Sequence, residues 1–423
     1  MSQTEIQFCK ECLYANTHPL GITFNDQGIC SGCQIHKEKY ELDWNERFKK
    51  LKKIAKNYKS NSKKNYDCIV PVSGGSESYF VLHIVKNILK LNPLLVSYNK
   101  YFNTELGIRN LSNLRIKFDC DIIIQNVNPN SVKKITKETL RNFGSIYWPC
   151  IAGQTVFPVQ SAIDLKIPLI IWGAHQGTEQ TGMFSHKHEV EMSRRYRKDH
   201  DLMGYEADDL LSSFNTLNED DIWQYRYPDD YDVSRADVKG IYLSNYIPWD
   251  PKKQDELMIK KYQFKTSKNY RSFDTYDHVD CYNYHGIHDL LKLYKHGYSR
   301  VTDHATREIR HGRLNIKQAY SLVMKYEKKK IKYLNFFLDW MNIDQSAIDF
   351  ILDFHKNPKF WHRKDWNRNK NMWRFNGLSK IRNFQSFDLK KNLVIEKKMN
   401  FISNDKISQE TSKRYYVIGK GYP

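Results

Sequence analysis

Apolar positions along this chain follow two rhythms. Trp44, Phe48, Leu51, Ala55 and Tyr58 recur every three or four residues with lysines between them, the stripe of an amphipathic helix. After a polar stretch at 60–65 the pattern changes to short unbroken apolar runs. Residues 66–72, 93–98, 121–127 and 167–172 are such runs and predict buried strands. The segments between them, 77–90, 106–118, 131–143 and 154–165, return to helical spacing. Strands alternating with helices predict an α/β fold with a parallel sheet and right-handed crossovers. Ligands on such sheets bind beyond the carboxyl ends of the strands.

Residues 174–250 are polar, aromatic and weakly periodic, which predicts long loops with short helices. From 251 onward the pattern is mainly helical, most clearly at 316–326, 331–341 and 346–355. Past about 376 it predicts nothing, and no internal repeat is present. Four parts are therefore expected: a small cysteine-rich module at 1–40, a basic helix and linker at 41–65, the α/β domain at 66–250 and a mainly helical region at 251–423.

Composition narrows the class. The 423 residues are 40% hydrophobic and 14% aromatic, which excludes a disordered chain. The formal net charge of +19 suits a polyanion, but equally ATP or a nucleotide sugar. Much of the excess is lysine in polar stretches such as 49–64, which read as solvated faces. No apolar run approaches the roughly 20 residues of a membrane span. The first residues lack the layout of a secretory signal, so a cytoplasmic location is expected.

Chemistry first shows in the cysteines. Of eight, four form two tight pairs, Cys9–Cys12 and Cys30–Cys33, with 17 residues between the pairs. Each C-x-x-C makes a knuckle presenting two thiolates, and two knuckles close a tetrahedral Zn2+ site with no open position, hence a structural one. Gly32 inside the second knuckle suits its tight turn. The alternative is unrelated thiols or a redox pair. His36 is expected to be a surface histidine.

The second signal follows the first strand. Ser73-Gly74-Gly75-Ser76-Glu77-Ser78 leads into a helix. Glycines allow backbone N–H groups to approach an oxyanion, the helix N-terminus adds partial positive charge, and serine hydroxyls donate. The plain alternative is a strand-to-helix turn capped by a serine. This loop resembles the Ser-Gly-Gly-x-Asp-Ser motif of the PP-loop ATP pyrophosphatases, which have the adenine nucleotide alpha hydrolase-like fold and adenylate a carbonyl-type oxygen. Ser73, Gly74, Gly75 and Ser78 match; Glu77 stands where the motif has Asp and moves the charge by one methylene.

A narrower resemblance runs from residue 9 to about 313. Both cysteine pairs, PLGITFNDQGICSGC, the PVSGG of 71–75, Trp172-Gly173, the YLSNYIPWD of 242–250 and the GYSRVTDH of 297–304 are similar to the N-acetyl sugar amidotransferases of pseudaminic acid and lipopolysaccharide O-antigen biosynthesis. The resemblance implies an ATP-dependent enzyme that turns an acetamido into an acetamidino group. It implies ATP on Ser73, Gly74, Gly75, Ser76, Ser78 and Gly173, with catalytic roles for Ser73, Glu77 and Ser78. It further implies Mg2+ as cofactor and ammonia from a separate glutaminase–synthase pair like that of histidine biosynthesis. No glutaminase signature is evident in this chain. Two other readings stay open: a PP-loop tRNA-modifying enzyme, and a catalytically silent nucleotide- or RNA-binding protein.

Four further groups stand out. If 300–313 is helical, Arg300, His304, Arg307 and His311 share one face, either gripping a phosphate or sugar carboxylate or lying solvated in ion pairs; the resemblance favours substrate binding by Arg300, His304 and Arg307. His175, Gln176, Glu179, His186, His188 and Glu189 follow the fourth strand and are expected near the site's rim, their spacing fitting no metal motif. Cys150, like Cys68, Cys120 and Cys281, reads as buried and inert. Trp361, Trp366 and Trp373 interleave with Arg363, Lys364, Arg368, Lys370 and Arg374, a pattern of subdomain packing or of single-stranded RNA binding.

Overall fold

The structure, a computed structural model, describes residues 6–60, 65–363, 373–375 and 395–404. Its centre is a five-stranded parallel sheet. The strands are β1 (Cys68–Pro71), β2 (Pro93–Tyr98), β3 (Ile122–Gln125), β4 (Leu169–Trp172) and β5 (Lys239–Tyr242), in the order β3-β2-β1-β4-β5. Adjacent residues face opposite sides of a strand. Thus Val70, Leu95, Leu169 and Ile171 join one core with Leu51, Phe80 and Leu114. Ile69, Leu94, Val96 and Ile170 join another with Val159 and Ala162. Both faces are covered, which is why these strands read as continuous apolar runs rather than alternating ones.

The expected strands and helices are present, with shifted ends. The helix Trp44–Tyr58 is capped by Asp43, whose side chain accepts from the N–H groups of Asn45 and Glu46, and it buries Leu51 and Ala55. Pro129–Phe143 starts behind an Asn128 cap and stops at Gly144, whose φ of 59° suits glycine. The helix expected at 154–165 begins earlier, at Trp148, and runs to Asp164 through Pro158. The one expected at 77–90 is α-helical over Ser76–Leu82 and continues as a π-helical stretch to Ile88.

Residues 174–250 are less loop-like than expected. They contain several short helices and β5, a four-residue edge strand whose sequence, KGIY, offers no period to detect. The C-terminal half is helical as expected, with Pro251–Tyr262, Ile287–His296, Arg300–Arg310, Ile316–Tyr326, Leu334–Met341 and Gln345–Phe354. No described helix is long and apolar enough to cross a membrane.

Near the C-terminus Trp361–Arg363 pairs antiparallel with Trp373–Phe375. The Trp361 ring stacks on Phe375 at 4.6 Å and meets Tyr294 edge-on at 4.7 Å, so Trp361 packs rather than offering a free face. Lys364, Trp366, Arg368 and Lys370 lie outside the described residues.

Candidate active site

β1 ends at Pro71 and the chain crosses Ser73–Gly75 into the next helix. Two serines shape this crossing. Ser78 Oγ accepts from the Ser73 N–H at 2.9 Å, and Ser73 Oγ accepts from the Gly75 N–H at 3.1 Å. Each hydroxyl keeps its own proton to donate, and Ser73 lines the cavity described below. Gly74 is pressed onto the helix Glu105–Phe118: a Cβ there would lie 2.3 Å from the Gly107 carbonyl oxygen. Gly107 in turn backs onto Asp280, whose Cα would be 2.5 Å from a Cβ. The loop is thus pinned through Gly107 to the segment 274–280, a link with no sequence signal.

Glu77 reaches across from the loop to the end of β4. Its Oε1 accepts from the Ala174 N–H at 2.7 Å. A Cβ on Gly173 would meet that same oxygen at 1.9 Å, so Gly173 makes room for Glu77. Desolvation among the cavity walls raises the Glu77 pKa; the Ala174 N–H pulls it down, and Asp277 and Glu179 push it up again.

These groups open into a cavity of about 1160 Å3, its mouth included. Ser73, Gly75, Ser76 and Glu77 form one side; Arg300, Asp303, His304, Arg307 and Arg310 form another. The Arg300–Arg310 helix therefore presents the expected face to the loop. Its cations are already engaged. Arg300 Nε donates to Asp277 Oδ2 at 3.1 Å and Nη1 to Asp303 Oδ2 at 3.2 Å. His304 bridges Ser272 Oγ at 2.5 Å and Asp277 Oδ2 at 2.9 Å. Arg307 donates to Asp274 at 2.5 Å and Glu308 at 2.9 Å. Burial would raise Asp277 and Asp303, but Arg300, with His278 at Asp277 and Lys292 at Asp303, holds both below the usual carboxylate range. Asp255 also lines the cavity, and its burial pushes its pKa well up despite Ser76. Sequence reasoning missed Asp255, Asp274 and Asp277 because nothing periodic marks them.

The cysteine module is a wall of this cavity rather than an appendage. The thiols of Cys9, Cys12, Cys30 and Cys33 are buried and all lie within 4.8 Å of one another, with Cys12 and Cys30 at 3.7 Å. Four thiolates about 2.3 Å from a tetrahedral Zn2+ would be about 3.8 Å apart, so the set fits that ion. Cys9 Sγ also accepts from the N–H groups of Glu11 (3.4 Å) and Cys30 (3.3 Å). No other such group of His, Cys, Asp and Glu occurs among the described residues. Tyr14 and His36 line the cavity. His36 is buried, not a surface residue: its ring meets His311 edge-on at 4.7 Å, and burial, with Lys39 and His311 nearby, lowers its pKa to about 2. Arg310 ties module to cavity, donating to the Gln180 carbonyl at 2.6 Å with Nη2 3.7 Å from Cys30 Sγ.

After β4, Gln176 and Glu179 line the cavity, while His175 and His186 are buried. His188 and Glu189 lie further out; Glu189 pairs with Lys50 at 2.9 Å. Cys68, Cys150 and Cys281 are buried and Cys120 is half-buried.

Residues 256–378 match the family described as LPS biosynthesis protein WbpG-like, C-terminal domain. The chain is also 29% identical over 118 residues to an uncharacterized protein of Methanocaldococcus jannaschii, covering 28% of this chain and 42% of that protein, less than half its length. Among solved structures, an NH3-dependent NAD synthetase from Campylobacter jejuni, in complex with nitrate, is 14% identical. That match covers 46% of this chain and 92% of that one at a TM-score of 0.27, too loose a superposition for anything to follow from it. Within residues 256–378, which include the Arg300–Arg310 helix facing the Ser73–Ser78 loop, the chain is similar to the WbpG-like lipopolysaccharide biosynthesis proteins.

Proposed function

We propose that this protein is a cytoplasmic ATP-dependent amidotransferase. It adenylates the acetamido oxygen of an N-acetylated sugar or nucleotide sugar and replaces that oxygen with nitrogen, for surface-glycan assembly. The observation that carries the reading is the Ser73–Ser78 loop opening into one cavity with the Arg300–Arg310 face of the WbpG-like domain. A nucleotide on the loop and a sugar on the facing helix would share that space.

An amide is a poor electrophile, and adenylation gives it a leaving group. The acetamido oxygen attacks the α-phosphorus, the bond to the β-phosphate oxygen breaks, and pyrophosphate leaves with the electron pair. Ammonia then attacks the imidoyl carbon, AMP leaves with the C–O electrons, and proton loss gives the acetamidine. The hydroxyls of Ser73 and Ser78 and the Ser76 N–H would bond the departing pyrophosphate. One such oriented donor is worth about 10²–10³ in rate. Glu77 is the carboxylate that would hold Mg2+, which when bound neutralises phosphate charge. Asp255, its pKa raised by burial, would hold its proton and donate a hydrogen bond. Ammonia would come from a separate glutaminase–synthase pair. The four-part division of the chain and a structural Zn2+ on the four cysteines belong to this same reading.

The test is the nucleotide product. With ATP, an acetamido sugar and an ammonium salt, AMP and pyrophosphate are expected; ADP and phosphate would rule out adenylation. Glu77 gives a second prediction. Its raised pKa means that, as pH falls, it is protonated earlier than an ordinary glutamate. Turnover should therefore rise with pH above the normal carboxylate range, and Glu77→Gln should lower the rate and remove that limb. A pH–rate profile unchanged in Glu77→Gln would exclude Glu77 from the reaction.

A further inference from the structure

A second cavity, of about 770 Å3 with its mouth included, adjoins the first, and Asp277 and His278 line both. It lies largely within the WbpG-like domain. Its lining carries polar atoms that no described residue satisfies. Arg271 is 2% exposed. Its Nε donates to Asp289 Oδ2 at 2.6 Å and its Nη1 to the Lys329 carbonyl, while its Nη2 is buried without a partner. Asn269 Oδ1 accepts from the Arg271 N–H at 3.0 Å, which fixes the amide and leaves Nδ2 without a partner. His285 Nε2 lies 3.0 Å from the Asp277 carbonyl oxygen. A carbonyl only accepts, so a neutral ring carries its proton on Nε2 and offers Nδ1 as an acceptor. That Nδ1 is also unpartnered. Lys268 and Lys332 are exposed at the cavity's edge.

Asp289 answers Arg271 Nε, as Asp277 and Asp274 answer Arg300 and Arg307 in the first cavity. What this lining adds is two neighbouring buried donors, Arg271 Nη2 and Asn269 Nδ2, that stand without acceptors, which is disfavoured until a ligand supplies them. We propose that this second cavity anchors the anionic part of the acceptor. A carboxylate or diphosphate borne by an acetamido sugar would sit on Arg271 Nη2 and Asn269 Nδ2 between Lys268 and Lys332. A sugar hydroxyl would donate to His285 Nδ1, with the acetamido arm directed past Asp277 and His278 to the loop. The assignment of the ligand as an acetamido sugar rests on the reading above; the anion site rests on the unpartnered atoms.

The experiment is isothermal titration of the full chain with UDP-N-acetylglucosamine, N-acetylneuraminic acid and uncharged N-acetylglucosamine, with ATP titrated separately. At least one anionic probe should bind at least tenfold more tightly than the neutral sugar. Lys268→Glu/Lys332→Glu, two exposed positions, should weaken that probe at least tenfold and leave ATP affinity within twofold. Arg271→Lys, checked for folding by circular dichroism, should weaken it too. Loss confined to the diphosphate probe identifies a nucleotide sugar, and loss confined to the other a sugar acid; either supports the site. Equal binding of neutral and anionic sugars, binding of none of them, or unchanged affinity in the double variant overturns it. The readout needs no turnover, so ADP formation would sink adenylation without touching this result.

Discussion

Gly74→Ala is expected to reduce pyrophosphate formation about a hundredfold or more, while Gly75→Ala reduces it far less. The two glycines are neighbours in one loop, yet their surroundings differ. A Cβ at Gly74 would lie 2.3 Å from the Gly107 carbonyl oxygen, with the Gly107 Cα and carbonyl carbon at 2.9 Å. All three atoms are backbone, fixed in a helix that itself abuts Asp280, so the loop rather than the helix must move. Overpacking of this kind costs about 1–3 kcal/mol, which the fold should survive. The phosphate donors would not keep their places, and a displacement near 1 Å costs about 10²-fold in rate. A Cβ at Gly75 would meet Ser73 Oγ at 3.2 Å, a close contact that a shift of a few tenths of an ångström relieves without moving the hydroxyl out of the loop. Pyrophosphate release for both variants, with melting followed by circular dichroism, makes the comparison. Equal activities in Gly74→Ala and wild type would mean that the loop is not seated against Gly107 as described.

That pairing shows where sequence reasoning stops. The loop was legible because local chemistry selects it: glycines, serines and a strand-to-helix transition within six residues. The sheet was legible because two covered faces force apolar runs, as in β1, β2 and β4. What Gly74 touches was not legible, because Gly107 lies 33 positions away and its own sequence context, ELGIRN, reads only as helix. The charged face behaved in the same way. Helical spacing placed Arg300, His304 and Arg307 together correctly. The carboxylates that engage them, Asp274 and Asp277, sit in an irregular stretch whose fold is set by tertiary packing. His36 was misplaced for a related reason: one histidine on a short helix has no pattern, and its burial involves tertiary neighbours such as His311 that are distant in sequence. β5 escaped because four residues at a sheet edge are too few to show a period.

Replacing Cys12 by serine is expected to remove bound zinc and, with it, most ATP turnover. Cys12 is fully buried, 3.7 Å from the Cys30 thiol, so the serine leaves a three-thiol site without its fourth ligand. Metal binding is folding free energy in small closed sites, about 10–16 kcal/mol in isolated zinc fingers. Even a fraction of that exceeds what the few apolar side chains of this module, Tyr14, Ile22 and their neighbours, can supply. The effect should not stay local. Gly32 lies so close under Arg310 that a Cβ would meet its Nη2 at 2.2 Å, and Ser31 Oγ donates to the Thr181 carbonyl at 2.7 Å. Tyr14 Oη donates to Asp303 at 2.8 Å, and Asp303 also takes Arg300 and Lys292. Loosening the knuckles therefore frees Arg310 and Tyr14 and opens the cavity wall. Freshly purified, reduced wild type should hold about one Zn2+ per chain, and less as pH falls, because protons compete for thiolates. Cys12→Ser should hold little zinc, melt at lower temperature and release pyrophosphate slowly. Cys150→Ser, at a buried thiol outside the cluster, should keep its zinc. A Cys12→Ser protein with wild-type turnover and no zinc would detach the module from the active site altogether.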